Sequence, residues 1–389
     1  MRAVRTVVFV LLLAVFAMSA PAFAADQEVV DDFDTVNVDG IDSAFKAAVG
    51  DRYGGTFIDR SVSPPVLREL SVDPSPADAQ TLDQISGSDP RVQLGSARYS
   101  RAVLEHVSNA IETEFEADTG SDEWSVGVDD ERQAVVVSAS QLDATLRARL
   151  SALGPPEAVE FDITPDYSFA DTNSCRMCYP AYEAGLGMAV APSSLCTSGF
   201  TLRAPSSTGG TNYYGTTAGH CGPTGSAVFM DTPFRKISNI GINPYLAGRV
   251  SNSDSARFFI PSSVATARVF TAPNSHRNVS GGFSDAALTL GRSLCFQGIT
   301  SMNNNCGNIR IRDRAISNGT RTVRHLWCIA QVTLRGDSGG PMYGVRSDGS
   351  ARAAGLVKGL LTTATQRYAC FSSINYVQSD LNATLVTTP

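Results

Sequence analysis

Residues 335–341 read RGDSGGP, from Arg335 through Ser338 to Pro341. A serine set between an aspartate and two glycines stands where the backbone can turn sharply and aim successive N–H groups at one point, which is what an oxyanion site requires. Alone, such a string is equally an ordinary glycine-rich turn. Further back, residues 216–221 read TTAGHC, a run of small residues that delivers His220 next to Cys221. A serine hydroxyl is a weak nucleophile at neutral pH and needs a nearby base such as imidazole, itself oriented by a carboxylate. The two strings, in this order, point to nucleophilic catalysis with Ser338 as nucleophile and His220 as base. The remaining histidines, His106, His276 and His325, have no motif around them and read as surface or structural residues.

Outward from these strings the composition is that of an all-β unit. From Gly185 onward, Gly, Ser, Thr and Asn punctuate short apolar or β-branched runs such as Ala189–Pro192, Phe258–Ile260, Ala286–Leu290 and Ile309–Ile311. Many short strands with frequent turn signals predict a barrel or sandwich. Only the stretch from Ile374 to Leu385 reads as helical. All eight cysteines (175, 178, 196, 221, 295, 306, 328 and 370) fall within residues 171–389. An even number predicts disulfides if the chain is exported, as its N-terminal residues imply. The one short pair, Cys175 and Cys178, has no second pair beside it, so no metal site is expected, and no cofactor.

The other half differs in charge and in pattern. Residues 26–170 carry 29 acidic and 10 basic side chains, net −19, whereas residues 171–389 carry 9 and 19, net +10. The whole chain of 389 residues is net −7, which argues against nucleic acid as the main partner. Arg2 and Arg5, the apolar run Val7–Met18 and then Ala22, Phe23 and Ala24 form a secretory signal peptide over residues 1–24. Twelve apolar residues are too few to span a bilayer, which needs about twenty. Residues 25–170 read as an α+β region of two small lobes: strands at Gly55–Ile58 and Pro65–Val72, a helix at Tyr99–Phe115, then strands at Trp124–Val128 and Ala134–Ser138 and a helix at Gln141–Leu153. The strand Ala158–Ile163 follows, and 171–184 reads as a linker or processing region.

RGDSGGP and TTAGHC together resemble the chymotrypsin-like serine proteases, and within them the secreted bacterial branch of streptogrisins and α-lytic protease. The resemblance covers residues 185–389 through its motifs, and the order of signal, long pro-region and protease matches as well. It implies a protease domain of two antiparallel six-stranded β-barrels, preceded by a small α+β pro-region that assists folding and then covers the active site. It further implies a secreted, monomeric endopeptidase acting on proteins or peptides, made as a zymogen. By motif, His220 and Ser338 are base and nucleophile, and the N–H groups of Gly336 and Ser338 form the oxyanion hole. The disulfides implied are Cys196 with Cys221, Cys295 with Cys306 and Cys328 with Cys370, leaving Cys175 and Cys178 to each other.

The third triad member is an aspartate between His220 and Ser338, and Asp231, Asp254, Asp285 and Asp313 are the candidates. Asp254 and Asp285 both precede an apolar strand; the separations from histidine and serine seen in the branch favour Asp254. Asp337 is expected to hold the oxyanion loop through a buried ion pair. The walls of the primary pocket fall at Ile329–Arg335 and Leu356–Leu360, giving Val332, Thr333, Lys358 and Gly359 as pocket residues. Val332 stands where a trypsin-like enzyme keeps an aspartate, so an apolar substrate side chain is expected. Lys358 departs from the resemblance, since its place is usually a serine. Three readings stay open for it: a side chain turned away from the pocket, one that favours an acidic substrate group, or a modified active site. The last keeps open an inactive binding protein of the same fold; a separate alternative is that the acidic half is itself the product, such as an inhibitor.

Overall fold

The computed structural model describes residues 33, 35–117, 124–139, 141–163, 168–171, 182–191, 194–230, 235–272, 275–301, 305–363 and 366–388. The signal peptide, Cys175, Cys178 and Asp231 lie outside the described residues.

The first half is one topology written twice. Helix α1 (Val38–Val49), strands β1 (Tyr53–Asp59) and β2 (Val66–Val72), helix α2 (Pro76–Ser86) and strand β3 (Val92–Ala97) form the first lobe. Helix α3 (Arg101–Ala117), strands β4 (Trp124–Asp129) and β5 (Ala134–Ala139), helix α4 (Ala144–Ser151) and strand β6 (Val159–Ile163) repeat the order. In each lobe the first two strands are antiparallel and the third joins parallel to the second across a helix. This corrects the sequence reading, which placed the helix near residue 100 in the first lobe. Leu104, Val107, Ile111 and Phe115 of α3 pack with Val126, Val135 and Val137 of the second. Helix α1 lays Val38, Ile41, Phe45 and Val49 at helical spacing into the first core. Helix α2 starts at a capping box between Ser75 and Asp78.

The second half is built on two sheets whose main strands run antiparallel. In the first, six strands run Gly187–Val190, Ala227–Met230, Arg235–Ile242, Ala256–Ile260, Thr211–Thr217 and Leu202–Pro205, extended at its two ends by Ser194–Thr197 and the C-terminal Thr384–Leu385. Met188, Val228, Ile240, Ala256 and Phe258 fill its interior. The second closes into a six-stranded ring: Thr322–Ile329, Arg367–Ser373, Ala351–Thr362, Pro341–Val345, Ser293–Phe296 and Asn305–Ser317, which pairs back on Thr322–Ile329. Phe296, Ile309, Trp327, Met342, Val357 and Phe371 fill this ring.

Three expected elements differ. Ala286–Leu290 is a turn rather than a strand; Leu288 and Leu290 are buried, the Leu288 carbonyl accepts the Trp327 indole N–H at 3.1 Å, and among the described residues Leu290 makes only a single bridge, to Phe57 of β1. The last helix stops at Asp380, and Thr384–Leu385 returns as a strand against Leu202 and Arg203. The linker is shorter than 171–184, because Tyr182–Ala184 pairs with Ala265–Ala272 and Tyr182 packs in the first barrel.

The halves are joined edge to edge. Trp124, Ser125 and Val126 of β4 pair antiparallel with Ser317, Ile316 and Ala315, so the second lobe's sheet continues the second barrel. Strand β7 (Ser168–Asp171) pairs antiparallel with Gly359–Thr362. Among the described residues three ion pairs of one polarity cross the junction: Asp39 with Arg352 at 3.6 Å, Asp130 with Arg312 at 2.8 Å, and Glu112 with Arg324. In each the acid comes from the first half, as the opposite net charges lead one to expect.

Candidate active site

TTAGHC leaves the strand Thr211–Thr217 and turns through a single 3-10 turn, Gly219–Cys221. Asn243 pins that turn by donating its amide N–H groups to the carbonyls of Gly219 and Gly222, each at 2.7 Å. The disulfide Cys196–Cys221 anchors its far end to the neighbouring strand.

His220 Nδ1 lies 2.6 Å from Asp254 Oδ2, and the His220 backbone N–H donates to Asp254 Oδ1 at 2.9 Å. A hydrogen on Nδ1 facing a carboxylate leaves Nε2 with the lone pair, the tautomer that accepts a proton. Asp254 is fully buried at the mouth of the strand Ala256–Ile260, and its own N–H donates to Ser372 Oγ at 2.9 Å. Burial pushes the Asp254 carboxyl up, but the charge of Lys358, then that of His220, and the hydrogen bonds from both hold it well below the usual carboxylate range.

RGDSGGP is locked against this turn. The Thr197 N–H donates to the Ser338 carbonyl at 2.8 Å, and Thr197 Oγ1 donates to the Gly336 carbonyl at 2.6 Å. Thr217 Oγ1, three residues before His220, donates in turn to the Thr197 carbonyl at 3.0 Å. Gly336 and Gly339 have φ of +109° and +85°, a region costly for other residues, and a Cβ on Gly339 would run into Thr217 Oγ1 and the Ala218 amide. The N–H groups of Asp337, Gly339 and Gly340 go to the carbonyls of Leu334, Val357 and Asp337. Asp337 does hold this loop, but not through the expected ion pair. Its carboxylate accepts the N–H groups of Thr300 at 3.1 Å, Ser301 at 3.0 Å and Leu334 at 2.7 Å, together with the Ser301 hydroxyl. Burial pushes this carboxyl above its ordinary value, and the hydrogen bonds from Ser301, Leu334 and Thr300 oppose that rise without cancelling it.

The other aspartates sit elsewhere. Asp285 accepts from Ser373 Oγ at 2.6 Å and Asn375 at 3.1 Å, at the start of the last helix. Asp313 pairs with His325 Nδ1 at 2.7 Å, and that imidazole stacks on Tyr376 at 4.1 Å. This second histidine–aspartate pair has no serine motif in its sequence.

Val332 lines a cavity of about 510 Å³ with Ala330, Gln331, Thr362, Thr363, Gln366 and Arg367. Thr333 is buried, and Gly359 pairs with Cys370 and with Asp171 of β7. Lys358 is not part of that wall. It is 2 % exposed and places Nζ 2.9 Å from Asp254 Oδ2, so its expected place in the pocket is corrected to a place behind the histidine. Asn243, Tyr245 and Ser372 are further site residues that no local string marked.

The sulfurs of Cys196 and Cys221, Cys295 and Cys306, and Cys328 and Cys370 are bonded. Two antiparallel barrels, a His–Asp pair on a turn of the first and a glycine-flanked serine on a loop of the second decide the architecture. The fold is chymotrypsin-like. Three solved structures illustrate the likeness. Thermobifida fusca protease A is 25 % identical over 54 % of this chain and 100 % of its own, with a TM-score of 0.42. Cellulomonas bogoriensis chymotrypsin is 23 % identical over 53 % and 98 %, TM-score 0.41. Nocardiopsis protease is 23 % identical over 53 % and 98 %, TM-score 0.40. No protein-family model and no curated protein matches the chain. Among the described residues no helix is long and apolar enough to cross a membrane.

Proposed function

We propose that the protein is a secreted serine endopeptidase, made as a zymogen and acting through Ser338, His220 and Asp254. The observation that carries this reading is the buried His220–Asp254 pair, 2.6 Å apart, on a turn laced through Thr197 and Thr217 to the Ser338 loop. In the reaction, Ser338 Oγ attacks the peptide carbonyl as His220 Nε2 takes its proton. The N–H groups of Gly336 and Ser338 receive the oxyanion. His220 returns the proton to the leaving amine, and water then releases the acyl group by the same route. Asp254 holds the tautomer and offsets the imidazolium charge.

Residues 25–170 are the pro-region in this proposal. Strand β7 lies antiparallel on Gly359–Thr362, the edge along which the resemblance runs a substrate, and Ser338 is fully buried in the full chain. Residues 1–24 direct export, and three disulfides suit an oxidising compartment. The test is the secreted form: its N-terminus should lie after β7, it should cleave a mixed peptide library, and the Ser338→Ala chain should remain full length and inactive. A secreted chain that keeps residues 25–170 and cleaves nothing would overturn the proposal. That same outcome is what a second reading expects, an inactive binding protein, which is favoured only by the lysine placed against Asp254.

A further inference from the structure

Between Val357, opposite Phe371, and Gly359, opposite Cys370, the register of two paired strands slips, and Lys358 is the extra residue of this bulge. Bulges re-aim side chains beside active sites. This one turns Lys358 inward, where Nζ meets the same Asp254 oxygen that His220 Nδ1 meets. An ammonium leaves water at this depth only when a carboxylate receives it. Nζ also stands 4.9 Å from the centre of the Tyr245 ring, which the His220 ring meets edge-on at 6.4 Å.

We infer that Lys358 is a positioning residue of the catalytic group, whose ammonium shares the Asp254 carboxylate with His220 and so keeps the imidazole neutral and able to accept a proton in more acidic medium. The inference rests on the protease reading and deepens it. The turn brings His220, the loop before Ala256–Ile260 brings Asp254, the 3-10 turn Pro244–Leu246 brings Tyr245, and the strand Arg367–Ser373 brings Ser372. Behind Tyr245 stands Arg321, 5.4 Å from its ring centre, and beyond Ser253 stands Asp380. Of these, the Asp254 carboxylate faces two cations once His220 is protonated, so its one negative charge stabilises the imidazolium less than it would alone. The depressed Asp254 carboxyl, with Lys358 the leading force against burial, agrees.

The test compares the unchanged enzyme with Lys358→Met and Lys358→Arg. For Met, the midpoint of the acid limb of kcat/KM should rise by about one pH unit, a tenfold gain in proton affinity of the base. Arg should restore the original midpoint, which a merely structural role does not require. The same shift is read without turnover in the full chain carrying Ser338→Ala, by titrating the His220 ring signal, assigned by its loss in His220→Ala. If Lys358→Met fails to fold, Lys358→Ser takes its place. A His220 midpoint that moves by less than about 0.3 unit overturns the inference even if the enzyme is active. An unchanged chain that cleaves nothing, with a His220 midpoint that does shift, overturns the protease reading and leaves the role of Lys358 standing.

Discussion

Arg312→Ala should weaken the hold of the acidic half on the protease more than any other single charge removal at their junction. The Arg312 side chain is 11 % exposed and Asp130 fully buried, and their atoms meet at 2.8 Å. Asp130 keeps its other partner, Arg101, when Arg312 is lost. Burial raises the nearby Asp42 and Glu69 carboxyls, and the Arg312 charge opposes that rise in both. Truncating one partner of a buried, hydrogen-bonded charge pair costs about 2 to 5 kcal/mol. Because Arg101 remains, the lower part of that range applies, about 2 to 4 kcal/mol, or about 30-fold to 10³-fold in the inhibition constant. The control is Arg324→Ala at the Glu112 pair, where Arg324 is 39 % exposed. A partly solvated pair of this kind is worth about 0.2 to 1 kcal/mol, at most about fivefold. The assay is inhibition of the processed enzyme by separately made residues 26–170, at low salt and again near 1 M, where the screening length falls to about 3 Å. Salt should abolish most of the Arg324 effect and little of the Arg312 effect. Equal effects of the two substitutions, or an Arg312 effect below about fivefold, would refute the buried-pair reasoning.

Other outcomes follow from the same geometry. Ser338→Ala and His220→Ala should each lower turnover by about 10⁴-fold to 10⁶-fold, and Asp254→Asn by about 10⁴-fold; Asp285→Asn, whose carboxylate serves Ser373 and Asn375, should stay within a few fold. The opposite ranking of the two aspartates in kcat/KM would sink the assignment. Removing the Cys328–Cys370 bridge should cost about 2 to 5 kcal/mol and also damage activity, because Cys370 pairs with Gly359 next to Lys358; untouched activity would place the catalytic wall elsewhere. Burial raises the Glu69 carboxyl well above 4.5, so the folded lobe binds a proton that the unfolded chain has lost. Its contribution to stability is complete below 4.5 and vanishes as pH rises through the raised value. Glu69→Gln should therefore raise the melting temperature of the full chain by a few degrees near pH 8 and change it little near pH 4.5; an equal effect at both would contradict the sign.

What could be read from sequence was what short strings carry. RGDSGGP and TTAGHC each mark their key side chain by local turn chemistry, and only the two together made Ser338 and His220 candidates. Asp254 came from the separations that the resemblance implies, and the cysteine pairs from the same resemblance. Lys358 was legible as an oddity but not as a contact, because a one-residue slip in strand register decides which face it takes. Asn243, Tyr245 and Ser372 reach the site only through tertiary packing and carry no mark of it. In the acidic half β1, β2, β4, β5 and β6 were found; β3 and β7 were not, nor were the helices α1 and α2. Their signals were present, in Val38, Ile41, Phe45 and Val49 and in the Ser75–Asp78 capping box. The strand β3 has little signal, since only its two end residues are buried. The repeat became visible once α3 was seen to pack on the second lobe, a question of contact rather than of order.

The central claim is that Ser338 is an activated nucleophile. A fluorophosphonate reacts with a serine only where a base and an oxyanion site activate it. After incubation of the processed enzyme with such a reagent, peptide mapping by mass spectrometry should find a single adduct on the peptide that contains Ser338, with none in His220→Ala over the same time. Absence of adduct from the folded, processed enzyme, or an adduct on another serine, would contradict the account.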